Sequence, residues 1–255
     1  MGNRFKTIDC SFVSPGSCQY LSGPAIWLIK VVADHASIEV VVDGKTRNLT
    51  LDRSRSILIA CMTGIKIISR AQAWKFHKIP VYEASKLLAF LEHSMKRDFG
   101  RSGSGCGVRE VIVETPGDLN IWKFERWLIE RVMGGGSLDA RFFDFLRSQE
   151  TYGLVRFLLG ERLSNKTIPE LSERYGVSES HFRRLCKQAL GKSLKRELRQ
   201  WRAATALLDV VEGQQSMTQL AMSHGFASPS HFSQEIKNLF GLSPGQFRRK
   251  HKELR

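Results

Sequence analysis

Residues 168–191 read IPELSERYGVSESHFRRLCKQALG, and residues 217–241 repeat the pattern as MTQLAMSHGFASPSHFSQEIKNLFG. Leu171 and Gly176 align with Leu220 and Gly225 at an offset of 49. After one inserted residue the offset becomes 50, and it pairs Ser178, Ser180, His181, Phe182, Lys187, Gly191 and Ser193 with Ser228, Ser230, His231, Phe232, Lys237, Gly241 and Ser243. So many identities at one offset indicate an internal duplication.

The repeated pattern predicts a helix-turn-helix unit in each copy. A short helix leads to a glycine, Gly176 or Gly225, whose tolerance of positive φ allows a sharp turn. Ser178 or Ser228 then supplies a hydroxyl that can cap the second helix, and Pro229 suits the first position of that helix. Helical spacing predicts that the apolar positions are buried: Ile168, Leu171, Phe182 and Leu185 in the first unit, and Met217, Leu220, Phe232 and Ile236 in the second.

The opposite face of each second helix is predicted to contact DNA. Arginine can pair with guanine, glutamine with adenine, and serine with several base or phosphate groups. The candidate DNA-binding residues are Ser180, Arg183, Arg184 and Lys187 in the first unit, and Ser230, His231, Ser233, Gln234 and Lys237 in the second. His181 and His231 recur in the repeat, and either donate to phosphates or serve in capping and packing. The first helix is the more cationic, which predicts that it binds more tightly.

The spacer between the two units is predicted to form one helix over residues 194–211. Its apolar stripe is expected to consist of Leu198, Trp201, Ala204, Leu207 and Leu208. A helix of about 18 residues is roughly 27 Å long, and adjacent major-groove faces on one side of B-DNA lie about 34 Å apart. We therefore expect the spacer to set two recognition helices into successive grooves, while also serving as scaffold.

The chain carries an excess of positive charge, most of it in the second half. There are 39 Lys and Arg against 25 Asp and Glu, a net charge of +14. Residues 151–255 hold 18 of the basic and 9 of the acidic residues, so they contribute +9. A basic domain attracts polyanions, but charge does not distinguish DNA, RNA, an anionic membrane or a solvated surface. The choice of double-stranded DNA depends on the repeated motif.

Other features argue against secretion, membrane insertion, metal binding and catalysis. No stretch reaches the roughly 18 apolar residues of a membrane span, and the N-terminus lacks a secretory signal, which predicts a cytoplasmic protein. The five cysteines are widely spaced without zinc-ligand spacing, which predicts free thiols and no metal or cofactor. No cluster of acid/base groups is present, so we predict no enzymatic activity.

A few single residues have a predicted structural role. Cys186 lies on the first recognition helix at a position expected to face inward, which favours a core thiol over a redox switch. Trp27, Trp122, Trp127 and Trp201 are all predicted to fill core positions.

The first half of the chain reads as an α+β domain. Apolar runs separated by turn residues predict a small antiparallel sheet or partial barrel, with the pair Asp43-Gly44 at a hairpin turn. The predicted strands cover residues 26–32, 38–42, 46–51, 56–60, 65–68 and 108–113. The predicted helices cover 81–95, 118–133 and 138–148, with a loop at 101–105, three glycines that end a helix at 134–136, and a capping serine at 137.

These patterns together predict a two-domain protein. The first domain, residues 1–140, is the α+β regulatory or partner-binding domain, and the second, residues 150–255, is all-α. Within the second domain, the helix-turn-helix units are expected near 167–190 and 216–240, joined by the linker helix near 194–211.

The second copy carries a longer signature that resembles the AraC/XylS family of bacterial regulators. It runs Gly225-Phe226-x-Ser228-x-Ser230-His231-Phe232-Ser233-Gln234-x-Ile236-Lys237-x-x-Phe240-Gly241-x-Ser243-Pro244-x-x-Phe247-Arg248. The sequence departs from the family at Ile236, where phenylalanine is usual, and at Pro229, a position that reaches toward DNA in some members. The resemblance covers residues 151–255. It implies that Ser180, Arg183 and Arg184 face one major groove, and that Ser230, Ser233 and Gln234 face the next.

Within the family, residues 181–186, 197–202 and 228–233 are similar to the invasion regulators of type III secretion islands. This resemblance implies an activator of secretion effector genes that works with RNA polymerase and with a type III secretion chaperone as co-activator. It also implies that the first half of the chain is a reduced version of the family's cupin-like sensor domain. Such a domain would bind a partner protein, a small molecule or another copy of itself. A metabolic regulator controlled by a small ligand and a cupin-type enzyme are the alternatives.

Overall fold

The computed structural model describes residues 10–32, 34–42, 44–95, 108–134, 140–161, 166–191, 193–213 and 215–253. The predicted loop at 101–105, Asp43 of the predicted hairpin and the predicted helix end and cap at 135–137 lie outside these ranges. The chain divides into two compact units, Met1–Arg156 and Phe157–Arg255. Within the ranges given, no helix is long and apolar enough to cross a membrane.

The first unit is built on two antiparallel sheets. Its described strands are β1 (Cys10–Val13), β2 (Cys18–Leu21), β3 (Ala25–Val31), β4 (His35–Val42), β5 (Lys45–Asp52), β6 (Arg55–Cys61), β7 (Ile65–Ala71), β8 (Trp74–Ile79) and β9 (Glu110–Pro116). One sheet has the order β1-β8-β3-β6-β9, and the other has the order β2-β7-β4-β5. The inner faces of both sheets contribute to one apolar core, in which Trp27, Trp74 and Phe76 are the largest side chains.

The sequences of β3 and β4 differ because their sheets are covered differently. β3 is apolar and buried at five consecutive positions, AIWLI, whereas burial in β4 follows every second residue. Since successive side chains of a strand point to opposite faces, Ile26 and Leu28 point away from the core between the sheets, yet both are fully buried. The sheet that contains β3 is therefore buried on both faces near this strand.

Three helices accompany the sheets of the first unit: α1 (Val81–Ser94), α2 (Ile121–Gly134) and α3 (Ala140–Arg147). α1 packs against α2 and α3, and α3 packs against β9. Aromatic side chains also join α2 and α3, because Trp127 of α2 lies between Phe124 and Phe142, with ring centroids 5.7 and 6.0 Å away. Helical spacing of these aromatic residues in the sequence gives each helix one apolar face.

A buried carboxylate joins three helices of the first unit. Glu92 of α1 is only 1% exposed, and its carboxylate accepts hydrogen bonds from Arg147 at the end of α3, with Nη2 2.6 Å from Oε1. It also accepts from the Tyr152 hydroxyl in the first turn of α4 (Glu150–Glu161). Burial and the adjacent Glu92 raise the pKa of Tyr152, so its hydroxyl keeps the proton that it donates.

The structure of the first unit differs from the sequence predictions in several places. The sheet region is antiparallel as predicted, but it is larger, because β1, β2 and β8 were not predicted. Trp122 was predicted to fill a core position and this is wrong: its side chain is 66% exposed. The helix predicted from Asp118 begins instead at Ile121, because the Asn120 side chain caps it by accepting from the backbone N–H groups of Trp122 and Lys123.

The described part of the second unit is helical throughout. After the end of α4 come α5 (Ile168–Tyr175), α6 (Glu179–Leu190), α7 (Leu194–Glu212), α8 (Met217–Ser223), α9 (Pro229–Phe240) and α10 (Pro244–Glu253). The pairs α5–α6 and α8–α9 are the two predicted helix-turn-helix units, and α7 is the predicted linker helix. The boundary between the units of the chain falls inside α4.

Candidate DNA-binding surface

The first helix-turn-helix unit has the local geometry that its sequence predicts. Gly176 adopts a φ of 84° between α5 and α6, and the Ser178 hydroxyl accepts from the backbone N–H of His181 to cap α6. Phe182 is completely buried, and it packs against Tyr175 and Phe157 with ring centroids 5.7 and 6.3 Å away. This aromatic cluster fixes α6 on α5, so the opposite face of α6 points to solvent.

The second helix-turn-helix unit repeats these features at the predicted offsets. Gly225 has a φ of 68°, and the Ser228 hydroxyl accepts from the His231 backbone N–H at 3.1 Å. Pro229 is the first residue of α9, as predicted. Phe232 and Ile236 are fully buried in a cluster with α7 and α8, so the unusual isoleucine still fills the core.

The duplication extends to the starts of α5 and α8, whose caps are not among the residues named in the sequence analysis, and to the glycines that follow α6 and α9. The Glu170 carboxylate accepts from the Thr167 backbone N–H at 2.6 Å, and Gln219 accepts from Ser216 at 3.1 Å in the equivalent place. Each recognition helix ends on a glycine with positive φ, Gly191 or Gly241. Matching caps give α6 and α9 the same length of 12 residues.

The predicted DNA-binding residues lie on the outer faces of α6 and α9. The structure exposes all of them except one, which is half-buried. Exposed are Ser180, Arg183, Arg184, Lys187, Ser230, His231, Gln234 and Lys237, and the half-buried residue is Ser233. Each helix therefore presents a continuous polar surface opposite to its buried phenylalanine.

Several of these side chains are held by neighbours on the same helix. Arg183 Nε donates to Glu179 at 2.7 Å, and Arg184 Nη2 lies 2.8 Å from His181 Nδ1. On α9, Gln234 Nε2 donates to Asn238 at 2.9 Å. These contacts are exposed, so they orient the side chains loosely and can be exchanged for contacts to bases or phosphates.

The buried stripe of the linker helix α7 overlaps only in part with the predicted one. Its 19 residues correspond to about 28 Å. The fully buried positions of its second half are Ala203, Ala206 and Val210, whereas the predicted Ala204 and Leu208 are exposed. α8, α9 and α10 pack on α7, and small residues on the buried side let them approach closely. Of the predicted stripe, Leu207 is partly buried against this cluster, whereas Ala204 and Leu208 are outside the buried face.

Polar contacts that the sequence did not reveal fix α7 to the second helix-turn-helix unit and to α10. Arg199 of α7 forms a two-pronged ion pair with Glu235, which is buried on the inner side of α9. Asp209 lies 2.7 Å from Nε2 of the buried His224 at the end of α8. Arg248 of α10 donates to the carbonyl oxygen of Val210 at 3.0 Å. These polar contacts therefore join α7 to α9, to the end of α8 and to α10.

Cys186 lies on the buried side of α6, as predicted. Burial raises the pKa of its thiol to about 12, so the reactive thiolate is scarce near neutral pH. Across the described ranges, no cluster of His, Cys, Asp or Glu has the make-up of a metal site.

The turn glycine of the first helix-turn-helix unit allows a test of the local geometry. Gly176→Ala is expected to lower the free energy of unfolding by about 1–2 kcal/mol, because an L-residue is strained at positive φ. A new Cβ there would meet no atom within 4 Å, so the cost is conformational. The control Gly160→Ala, in α4 and equally open, is expected to stabilise by about 0.5–1 kcal/mol. Urea unfolding of both variants measures this, and changes of the same sign would contradict the assignment.

Comparison with known proteins agrees with this geometry. A family model described as "Helix-turn-helix domain" matches residues 171–250. "Invasion protein InvF" of Salmonella typhi is 40% identical over 173 residues, which cover 66% of this chain and 78% of that protein. The chain belongs to the AraC family of DNA-binding transcriptional regulators.

Two further matches extend the comparison of this AraC-family regulator. "Transcriptional regulator MxiE" of Shigella flexneri is 47% identical over 100 residues, covering 38% of this chain and 48% of that protein. Among solved structures, the chain is similar to a transcriptional regulator of Chromobacterium violaceum described as having an AraC-type DNA-binding domain. That likeness has 23% identity and a TM-score of 0.36, and it covers 39% of this chain and 92% of the other.

Proposed function

We propose that this AraC-family regulator is a cytoplasmic activator of type III secretion genes that reads promoter DNA with both helix-turn-helix units. The observation that carries the proposal is the pair of matched recognition helices, each anchored by a buried phenylalanine and each exposing a polar face. The region in which this chain is similar to InvF covers most of the length of InvF, which supports a role in invasion. Residues 150–255 would form the DNA-binding domain and residues 1–140 the regulatory domain.

The two recognition helices have different roles in this proposal. On α6, Arg183, Arg184 and Lys187 supply positive charge, with Ser180 beside them, for guanine and phosphate contacts. α9 is less cationic and is proposed to read bases through Gln234 and serine hydroxyls. The residues proposed for α9 are Ser230, His231, Ser233, Gln234 and Lys237. α7 would hold the helices for successive major grooves.

Substitution of one residue on each recognition helix tests DNA reading. Arg184→Ala and Gln234→Ala are each expected to weaken promoter binding by about 1–3 kcal/mol and to relax base preference at one position. Fluorescence anisotropy with the promoter and with single-base variants measures both effects. Arg70→Ala, an exposed arginine paired with Glu39 in the first unit, is the control and should bind as wild type. Unchanged binding by both recognition-helix variants would contradict the proposal.

We infer that a type III secretion chaperone acts as co-activator and that the complex recruits RNA polymerase. Analytical ultracentrifugation of the regulator would test whether it is a homodimer. A reconstituted transcription reaction with this regulator, polymerase and promoter would be run with and without the purified chaperone. Stimulation that requires the chaperone is expected. Stimulation by a small metabolite alone, seen together with a thermal shift, would replace this proposal with a ligand-controlled regulator.

A further inference from the structure

One edge of the first unit presents a row of lysines beside an exposed aromatic side chain. β1 is the last strand of its sheet in the described ranges, and β8 and β3 follow it. Phe12 of β1 pairs directly with Lys75 of β8, and Lys75 pairs directly with Lys30 of β3. All three point away from the core, because the alternate residues of each strand are the ones in the core cluster. We name these three residues and Lys123 the lysine face.

Lys123 belongs to this surface through the segment before α2. Lys30 Nζ donates to the carbonyl oxygen of Leu119 at 2.8 Å, which brings this segment to the sheet. Lys123 Nζ lies 2.6 Å from the carboxylate of Asp118. Burial, followed by the charges of Lys75 and Lys123, lowers the pKa of Lys30, with Asp118 opposing them. The three lysines and one aspartate therefore form a coupled group that carries a net charge of +2.

The charge arrangement of the lysine face is unfavourable for the isolated chain. Like charges directly opposite each other on paired strands are destabilising. The pair Lys30–Lys75 has this arrangement, and the nearby Asp118 carboxylate is already engaged by Lys123. Additional carboxylates placed along β1 would relieve the repulsion, so the surface is complementary to an acidic partner.

Within the described residues, the edge strand β1 carries none of the charged side chains that commonly block pairing. Exposed edges are commonly blocked by charged side chains, and β5 at an edge of the other sheet has exposed Lys45 and Arg47. β1 reads CSFV without a charge, and Phe12 is 70% exposed. Trp122, next to Lys123, is another large exposed aromatic residue. Aromatic side chains are enriched among the residues that contribute most to binding at protein interfaces.

We propose that β1 and the lysine face bind an acidic, extended segment of a partner protein, which adds to the sheet as a strand beside β1. Backbone hydrogen bonds to β1 supply affinity in this binding mode, and alternate side chains supply specificity. Every second residue of the added strand lies on the side of Phe12 and Lys75, so acidic residues at a spacing of two are favoured. A second copy of this chain is disfavoured, because it would bring two lysine faces together. The inference is independent of DNA reading.

The test uses the full-length chain and a labelled synthetic peptide of alternating glutamate and valine. Fluorescence anisotropy is expected to show binding to wild type that weakens at least tenfold with Lys75→Glu. Lys75→Glu is expected to prefer the matching peptide of alternating lysine and valine. Lys66→Glu is the matched control, because Lys66 is an exposed lysine within a strand of the other sheet, and it should behave as wild type.

Promoter binding by each variant is measured in parallel, so that failure of this inference is distinct from failure of the DNA-binding proposal. If Lys75→Glu does not fold, Phe12→Ala serves instead, because it removes an exposed side chain. It should weaken binding of the acidic peptide and leave promoter binding unchanged. Absence of binding to wild type, or equal binding by Lys75→Glu, would overturn the inference. The inference would also be overturned if duplex DNA that lacks the promoter sequence displaced the peptide, or if the chain self-associated in a way that depends on Phe12.

Discussion

Glu92→Ala is expected to lower the free energy of unfolding of the first unit by about 3–5 kcal/mol, because it breaks a buried ion pair and removes a carboxylate that accepts two buried hydrogen bonds. Glu92 is almost completely buried, and its carboxylate receives hydrogen bonds from Arg147 and Tyr152. The loss would release the contact between α1, α3 and the start of α4. Urea unfolding followed by near-ultraviolet circular dichroism, to which the tryptophans contribute, measures the change.

Two controls distinguish the buried charge from other causes. Glu130→Ala removes a carboxylate from an exposed ion pair with Arg126, where water screens the charges, and no measurable change is expected. The double variant Glu92→Leu with Arg147→Met removes both charges and keeps the volume, so it should be more stable than Glu92→Ala alone. If the double variant were less stable than the single one, breaking the buried Glu92–Arg147 pair could not be the cause of the loss.

Phe232→Ala is expected to destabilise the second helix-turn-helix unit by about 3–5 kcal/mol, since it deletes a fully buried aromatic side chain and leaves a cavity. Phe232 has no exposed surface, and its ring lies 4.9 Å from that of Phe226 in the cluster that joins α7, α8 and α9. We expect the variant to keep the promoter contacts of α6 and to lose those of α9. A footprint shortened at one end would report this.

The same helix supplies a matched control for that substitution. Phe240 ends α9 and is 40% exposed, with Phe247 at 6.4 Å as its aromatic neighbour. Phe240→Ala should cost much less stability and leave the footprint at full length, because little buried volume is removed. Equal losses for the two variants would mean that burial of Phe232 does not hold α9 in position.

The helix-turn-helix units were predictable because their signals are local. A glycine at positive φ, a serine cap and a phenylalanine one turn later act over a few residues, and duplication gave each signal twice. Gly176, Ser178 and Phe182 all have the predicted roles, as do Gly225, Ser228 and Phe232. The exposure of the proposed DNA-contacting residues follows from the same helical period, while their contacts to bases stay predictions.

Misses occurred where distant parts of the chain decide the structure. β8 is the exception, because the local alternation of WKFHKI already indicates a strand. Trp122 is exposed although its residue type favours burial, because the neighbouring Ile121 and Phe124 form the inner side of α2. On α7, the size of Leu208 suggested burial, but the closely packed side is lined by alanines.

By itself, the sequence determined the helix-turn-helix repeat, the caps and turns, and the polar face of each recognition helix, since these depend on backbone preferences and periodicity within one turn or strand. Only the tertiary structure decided which side of α7 is buried, that Glu92 meets Arg147 and Tyr152, and that Phe12 stands in line with Lys75 and Lys30. Those arrangements depend on strand register and on helix packing between segments far apart in the chain, which no local pattern specifies.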